Sequence, residues 1–293
     1  MDSDEMRRFL FDGSNLRGVR VHLTEVWREL LSRHTYDEAV RSLLGESLAA
    51  VSLLGATIKF DGSLIMQMSG DGPVPMVVVQ STGARTVRGM ASVRGEITGS
   101  SMQQLIGDGH LALTIDPGPD KERYQGIVAL EGPRLATTID TYFVNSEQLL
   151  TRLWLAADAN HAAGMLLQAL PSEDSETDSE GWQHLIALAD TVQPAELLEL
   201  DSHALLRRLF HAEPVRMFAP EPIRFSCGCS SDRVSGMLRA MPLEELLETA
   251  AEEGGVLAVT CDFCNAKYDF DLVDLEALFV GGAEQLAKNS TKH

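Results

Sequence analysis

The four cysteines of this chain all fall in its last quarter, as Cys227-Gly228-Cys229 and Cys261-Asp262-Phe263-Cys264, so the pattern is C-x-C, a long insert, then C-x-x-C. Zinc takes four soft or borderline ligands in a tetrahedron, and thiolates on two short clips supply that geometry without a large core. In C-x-x-C two sulfurs reach one metal from a tight turn, and C-x-C does the same more compactly, helped here by Gly228. The stretch from 226 to 293 holds few large apolar side chains. A structural metal would therefore supply much of its folding free energy. One Zn2+ held by Cys227, Cys229, Cys261 and Cys264 is expected in the reduced protein. Four thiolates complete the shell, which leaves His184, His203 and His211 as ordinary surface or core histidines.

Composition weighs metal against permanent disulfides. Residues Met1 to Arg8 mix acids and bases with no apolar stretch, and no uninterrupted apolar run of about 18 residues occurs. The expectation is a cytoplasmic chain with neither secretory signal nor membrane span. In a reducing compartment clustered cysteines are metal ligands or redox groups more often than fixed bridges. The chain carries 24 Lys plus Arg against 43 Asp plus Glu, a formal net charge of −19 that repels nucleic acid. Its 293 residues suffice for about two domains, each with its own core.

Ahead of the cysteines the pattern changes twice. An apolar run at Phe9 to Phe11, a strand near 19–24 and a helix near 25–34 come first. Thr35-Tyr36-Asp37-Glu38 then fits a capping box. Val40, Leu44, Leu48, Val51 and Leu54 follow at three- and four-residue steps and predict a buried helix to about Ile58. From 59 to 138 short β-like runs, at 63–68, 75–80, 86–92, 111–115 and 124–130, are punctuated by Gly, Asp and Pro turns that close hairpins. None of those glycine groups has phosphate-loop or dinucleotide-binding spacing. A helix is expected over 135–145, and a hairpin from 151–157 and 164–170 around Asn160-His161.

Residues 153–206 contain no Lys or Arg, while Asp and Glu recur through them. Within this stretch Ser172 to Gly181 reads as an exposed acidic linker. Trp182, Leu185, Ile186, Leu188 and Ala189 form one amphipathic helix, and Leu197, Leu198, Leu200, Leu205, Leu206, Leu209 and Phe210 supply one or two more. Such faces are either packed on the first domain or open to a partner, and packing is the resting expectation. Pro214 to Pro222 breaks the helical pattern. A helix from Met241-Pro242, strands at 256–260 and 268–270 around the C-x-x-C knuckle, a last helix at 274–279 and a frayed tail at 288–293 complete the chain. The fold class is α+β: an N-terminal α+β domain with antiparallel sheets (1–176), an amphipathic helical linker (177–225) and a small C-terminal zinc-binding α+β domain (226–293).

The same thiolates are oxidisable. Four cysteines permit three pairings, and proximity favours Cys227 with Cys229 and Cys261 with Cys264. A C-x-C disulfide closes a very small ring and is comparatively easy to reduce. Oxidation would remove every zinc ligand at once and loosen a module that metal helps to fold.

Blocks spread over the whole chain resemble the thirty-three-kilodalton chaperonin family, the redox-regulated heat-shock holdases of bacteria. The spacing of Cys227, Cys229, Cys261 and Cys264 has the family's form. Leu44-Gly45-Glu46 through Leu53-Leu54, Thr57-Ile58-Lys59-Phe60-Asp61-Gly62, Arg123-Tyr124-Gln125-Gly126-Ile127-Val128, Tyr142-Phe143, Ser146-Glu147-Gln148, Thr151-Arg152-Leu153 and Gly164-Met165-Leu166-Leu167-Gln168 match in order. The resemblance implies a chaperone core, a helical linker and a redox switch. The reduced, zinc-bound form would be inactive. The oxidised form, with the two neighbour disulfides, would dimerise and hold unfolding proteins without ATP under oxidative stress. Trp182, Leu185, Ile186, Leu197, Leu198, Leu205, Leu209 and Phe210 become candidate client-binding residues, and no enzymatic activity, nucleic acid or membrane is implied.

Two other classes compete. A thiol-disulfide oxidoreductase needs one thiol of depressed pKa at a helix N-terminus in a thioredoxin-like unit, whereas this C-x-x-C sits between short strands beside a second pair. A zinc-ribbon binding module for nucleic acid conflicts with the module's own excess of acids.

Overall fold

Strand alternation and one long apolar helix organise the first part of the chain, in a computed structural model that describes residues 4–57, 62–118, 121–170 and 175–279, the side chains of 175–179 excepted. In chain order the elements are β1 (Glu5–Phe11), β2 (Leu16–Leu23), α1 (Glu25–Arg33), α2 (Glu38–Thr57), β3 (Ser63–Gly70), β4 (Met76–Thr82), β5 (Thr86–Ser92) and α3 (Met102–Ile106). There follow β6 (Gly109–Asp116), β7 (Tyr124–Ala129), α4 (Leu135–Tyr142) with a π-helical turn Phe143–Glu147, β8 (Thr151–Ala157) and β9 (Ala162–Ala169). Helices α5 (Ser175–Ala189), α6 (Pro194–Glu199) and α7 (Ser202–Phe210) and short strands β10 (Val215–Met217), β11 (Glu221–Pro222) and β12 (Arg224–Phe225) complete this part. By contacts the chain divides into two compact units, Met1–Ser226 and Cys227–His293.

In the first unit one sheet runs β10-β1-β2-β9-β8, antiparallel throughout, with β11 also on β1. The other runs β12-β5-β4-β3-β6-β7, antiparallel except where β12 joins β5 in parallel. β3 and β4 bury alternate residues, as strands covered on one face do. Helix α2 packs against strands of both sheets. Its stretch from Ser47 to Leu54 is buried throughout, as a helix covered by two sheets requires. The two hydroxyls in that stretch are satisfied internally: those of Ser47 and Ser52 donate to the carbonyls of Leu43 and Leu48 at 2.6 and 2.7 Å. By length and composition α2 is the one helix among the described residues apolar enough to cross a membrane, and 67% of its most apolar window is buried inside this domain.

Helices α5 to α7 lie on the outer face of the first sheet. Leu185, Ala189, Leu197, Leu205, Leu206, Leu209 and Phe210 form a second buried cluster there with Phe9, Phe11, Leu16, Met165 and Leu167. β9 is accordingly buried along nearly its whole length, covered by α2 on one side and this layer on the other. Phe9 reaches the layer by lying over Gly18, where a Cβ would sit 2.0 Å from the ring.

The second unit contains α8 (Ser231–Leu238), α9 (Leu243–Glu252), the antiparallel pair β13 (Val256–Thr260) and β14 (Lys267–Asp271), and a helix over 272–279. Among its described residues the buried core is small: Leu238, Leu246, Ala250, Leu257, Phe270 and Leu275.

Several expectations need correction. α2 starts at Glu38, with the first helical bond from Arg41 N–H to Asp37 O, so Asp37 and not Thr35 stands at the cap. Helix α5 starts at Ser175, so part of the stretch read as exposed linker is helical. The proline-broken segment 214–222 pairs with β1 as edge strands, where Pro222 needs no donor on its open side. Helices α3 and α8 lacked an apolar period long enough to read, although Ser101 with Gln104 makes a capping box for the first and Ser230 caps the second. Residues 58–61, Pro119, the acids Glu173 and Asp174 and the tail 288–293 lie outside the described residues.

Candidate metal centre

Each cysteine clip is built by its local backbone. Gly228, at φ 66°, turns the chain back between Cys227 and Cys229, and its carbonyl accepts from Arg233 Nη1 at 2.7 Å. Ser230 Oγ then accepts from Arg233 N–H and starts α8 directly behind the clip. The second clip joins β13 to β14: Cys261 N–H donates to Ala266 O at 2.9 Å, Asn265 N–H to Cys261 O at 2.8 Å, and Asn265 takes the left-handed conformation at φ 59°. In these turns backbone N–H groups also face sulfur, that of Cys229 bonding Cys227 and that of Ala266 bonding Cys264.

The four sulfurs converge. Cys227 and Cys261 approach to 3.5 Å, Cys229 and Cys264 to 3.3 Å, and all four Sγ atoms lie within 4.8 Å of one another. A tetrahedral zinc with bonds of about 2.3 Å sets its sulfurs about 3.8 Å apart, so this cluster matches the size of the site. Among the described residues it is the one group of His, Cys, Asp and Glu side chains placed to hold a metal ion. Cys264 is buried and the other three are half-buried. The residues thus fit a structural zinc with a closed thiolate shell.

The thiols are not equivalent. The Tyr268 hydroxyl donates to Cys229 Sγ at 3.1 Å and brings that thiol down to about 7, because the bond favours the thiolate. The same bond pushes Tyr268 up to about 12. Burial pushes Cys264 up to about 12 and also raises Cys227. Sequence reasoning missed Tyr268. Its signal was the alternation of β14, which turns Tyr268 and Phe270 to the same side as the strand leaves the knuckle.

The structure brings the four predicted ligands together and places the other candidates in the first unit. There Leu185, Leu197, Leu205, Leu209 and Phe210 are buried in the helical layer, with Trp182, Ile186 and Leu198 half-buried at its edge. Of the histidines set aside as ligands, His184 bonds Glu213 at 2.9 Å and His203 lies 3.4 Å from Arg7 Nη1.

The sequence profile of the family described as Hsp33 protein matches residues 4–271. The chain is 47% identical to a 33 kDa chaperonin of Nitrosococcus oceani and 45% identical to one of Pseudomonas paraeruginosa, each match covering 99% of both chains. Its fold resembles the crystal structure of the 33 kDa chaperonin, or heat shock protein 33 homolog, of Thermotoga maritima, with a TM-score of 0.81 at 24% identity over 96% of this chain and 99% of that one. Two sheets around one apolar helix, a small unit closed by four thiols, and relatives matched along nearly their full length together place this chain in the Hsp33 protein family.

Proposed function

We propose that this chain is a redox-regulated, ATP-independent molecular chaperone of the cytoplasm, a holdase that binds unfolding proteins and prevents their aggregation. Its relatives' name, 33 kDa chaperonin, supports the chaperone class. The observation that carries the regulatory part is a pairing along the chain. A layer of apolar helices lies docked at residues 175–210, and a four-thiol cluster follows in a unit with little core of its own.

In the reduced state Cys227, Cys229, Cys261 and Cys264 hold one zinc ion, whose bound form supplies folding free energy to residues 227–293. With peroxide as oxidant, Cys227 pairs with Cys229 and Cys261 with Cys264. Each pair of thiolates passes two electrons to one hydrogen peroxide, which takes up two protons from solvent and leaves as two waters, and the Zn2+ that the thiolates held is released to solvent. Neighbouring cysteines close the shortest loops, a preference that does not depend on the fold, whereas the cross-clip contacts at 3.3 and 3.5 Å persist only while the unit stays folded. Without thiolates the site has no donors for a metal, and the unit loosens. The helical layer then parts from the first sheet and uncovers apolar surface for clients, with dimerisation of the oxidised form.

The test compares full-length protein before and after mild peroxide treatment, reading metal content, free thiols, hydrophobic-dye binding, oligomeric mass and light scattering of an unfolding client without ATP. Metal loss accompanied by dye binding and suppressed scattering is expected. Metal loss with neither would overturn the proposal.

A further inference from the structure

The face of the first sheet beneath α5–α7 is not purely apolar. Arg20 of β2 is 1% exposed, and its guanidinium donates to Ser202 Oγ at 3.0 Å, to Leu197 O at 3.3 Å and to Leu200 O. Nearby His22 Nε2 lies 2.8 Å from Leu198 O. These carbonyls end α6, where the helix offers them no partner of its own. At the other end of the layer Asp190 accepts from Trp154 Nε1 at 2.9 Å and from Arg152 Nη2 at 3.3 Å. Arg152 also donates from Nη1 to Asp140 at 3.3 Å, and its buried Nε–H meets no acceptor among the described residues. A cavity of about 550 Å³, lined by Arg152, Trp154, Asp190 and Leu197 among others, lies beside this anchor.

The covering segment meets that face with one carboxylate, Asp190, while Glu196 pairs with Arg208 of α7 and Asp201 caps α7. The face itself carries its charge as the cations Arg20 and Arg152. Arg20 and Arg152 thus hold, in the resting protein, what an unfolding chain also presents: main-chain carbonyls without partners, carboxylates, and apolar side chains between them. The net charge of −19 does not cancel this, because at about 0.15 M salt fields are screened beyond about 8 Å while these cations are met at contact.

We propose that the sheet face released by α5–α7 takes client segments combining apolar side chains with carboxylates, in preference to equally apolar segments carrying lysines. The inference rests on the chaperone reading above and adds a client class to it. The probes are two labelled peptides, one with the chain's own residues 186–203 and one carrying Asp190→Lys, Glu196→Lys, Glu199→Lys and Asp201→Lys. Fluorescence anisotropy measures their binding to oxidised full-length protein. The acidic peptide should bind about tenfold or more tightly, a margin worth about 1.4 kcal/mol. That margin should shrink in high salt and in Arg20→Gln, which keeps donors but loses the charge. The wild-type comparison stands even where the variant fails to fold. Equal affinities, or tighter binding of the lysine peptide, overturn the proposal. Binding of neither peptide while scattering is still suppressed overturns it and leaves the chaperone reading intact, and loss of both overturns the two together.

Discussion

Truncating Phe210 should separate activation from oxidation. Its ring is 2% exposed at the end of α7, edge-on to Phe11 at 5.0 Å and 87°, and 6.4 Å from Phe9. Phe210→Ala removes one aromatic partner from that trio and leaves a void, a cost of about 3–5 kcal/mol for a buried phenylalanine. The loss falls on the docked state of the layer, because α2 and its core contain none of the atoms removed. At about 1.4 kcal/mol per tenfold, the ratio of undocked to docked layer should rise by roughly two to three and a half orders of magnitude. Hydrogen exchange over 180–210, compared with 40–54 in α2, reads that shift in the reduced, metal-loaded protein, while a chromogenic chelator confirms that the metal stays bound. Dye binding and suppression of client scattering should then appear without oxidant. Fast exchange in the layer with full client aggregation would show that undocking is not what exposes the chaperone surface, and the reasoning would fail.

Three further outcomes follow from single sites. Glu46 of α2 is pushed up to about 7 by burial, with Arg134 opposing, so the folded state keeps a proton that the unfolded chain releases near pH 4. That group's contribution to stability is present at low pH and is lost as pH rises towards 7. Glu46→Gln should therefore raise stability by up to about 3 kcal/mol at pH 8 and by little at pH 4, and a pH-independent gain in the melting curves would refute the assignment. Tyr268→Phe keeps the ring but loses the hydroxyl on Cys229, so competition with a chelator should show metal affinity weakened about tenfold, and an unchanged affinity would rule out that role. Chelating the metal under reducing conditions should erase ordered NMR signals from 227–279 while leaving the first unit's melting transition in place, and retention of those signals would show that the small core suffices alone.

The four-cysteine cluster was legible because its chemistry is local: each clip places two sulfurs by a tight turn, and Gly228 marks one turn by type. The long helix was legible too, since Val40 to Leu54 follow one period over several turns. Its start was misread, because Thr35 and Glu38 satisfy a capping pattern while the backbone enters the helix at Asp37. What stayed hidden was pairing between segments far apart in sequence. Strands β10 to β12 are two or three residues long, too short for alternation to show, and their order comes from β1 and β5. Arg20 was equally silent. In β2 it reads as an outward polar residue between Val19 and Val21, and only the arrival of the α6 carbonyls makes it a buried anchor.

Those magnitudes bear on how, in the proposed switch, a small unit would govern a larger one. Structural zinc sites of this kind bind with about 10–16 kcal/mol at pH 7, and the core of Leu238, Leu246, Ala250, Leu257, Phe270 and Leu275 is too small to replace that if the thiolates are lost. The helical layer is held by side chains worth about 3–5 kcal/mol each at most and by hydrogen bonds that water can replace when it lifts, as for the Arg20 guanidinium. The chain passes from one to the other through slender ground: β12 is two residues long, and Ser226 N–H bonds Val87 O at 3.1 Å immediately before Cys227. In the proposed switch four thiols therefore control an energy larger than any single contact in the layer. Loosening of 227–293 would need to be transmitted along the chain only as far as β12 and the strands before it to reach α7, the helix whose Phe210 packs edge-on to Phe11.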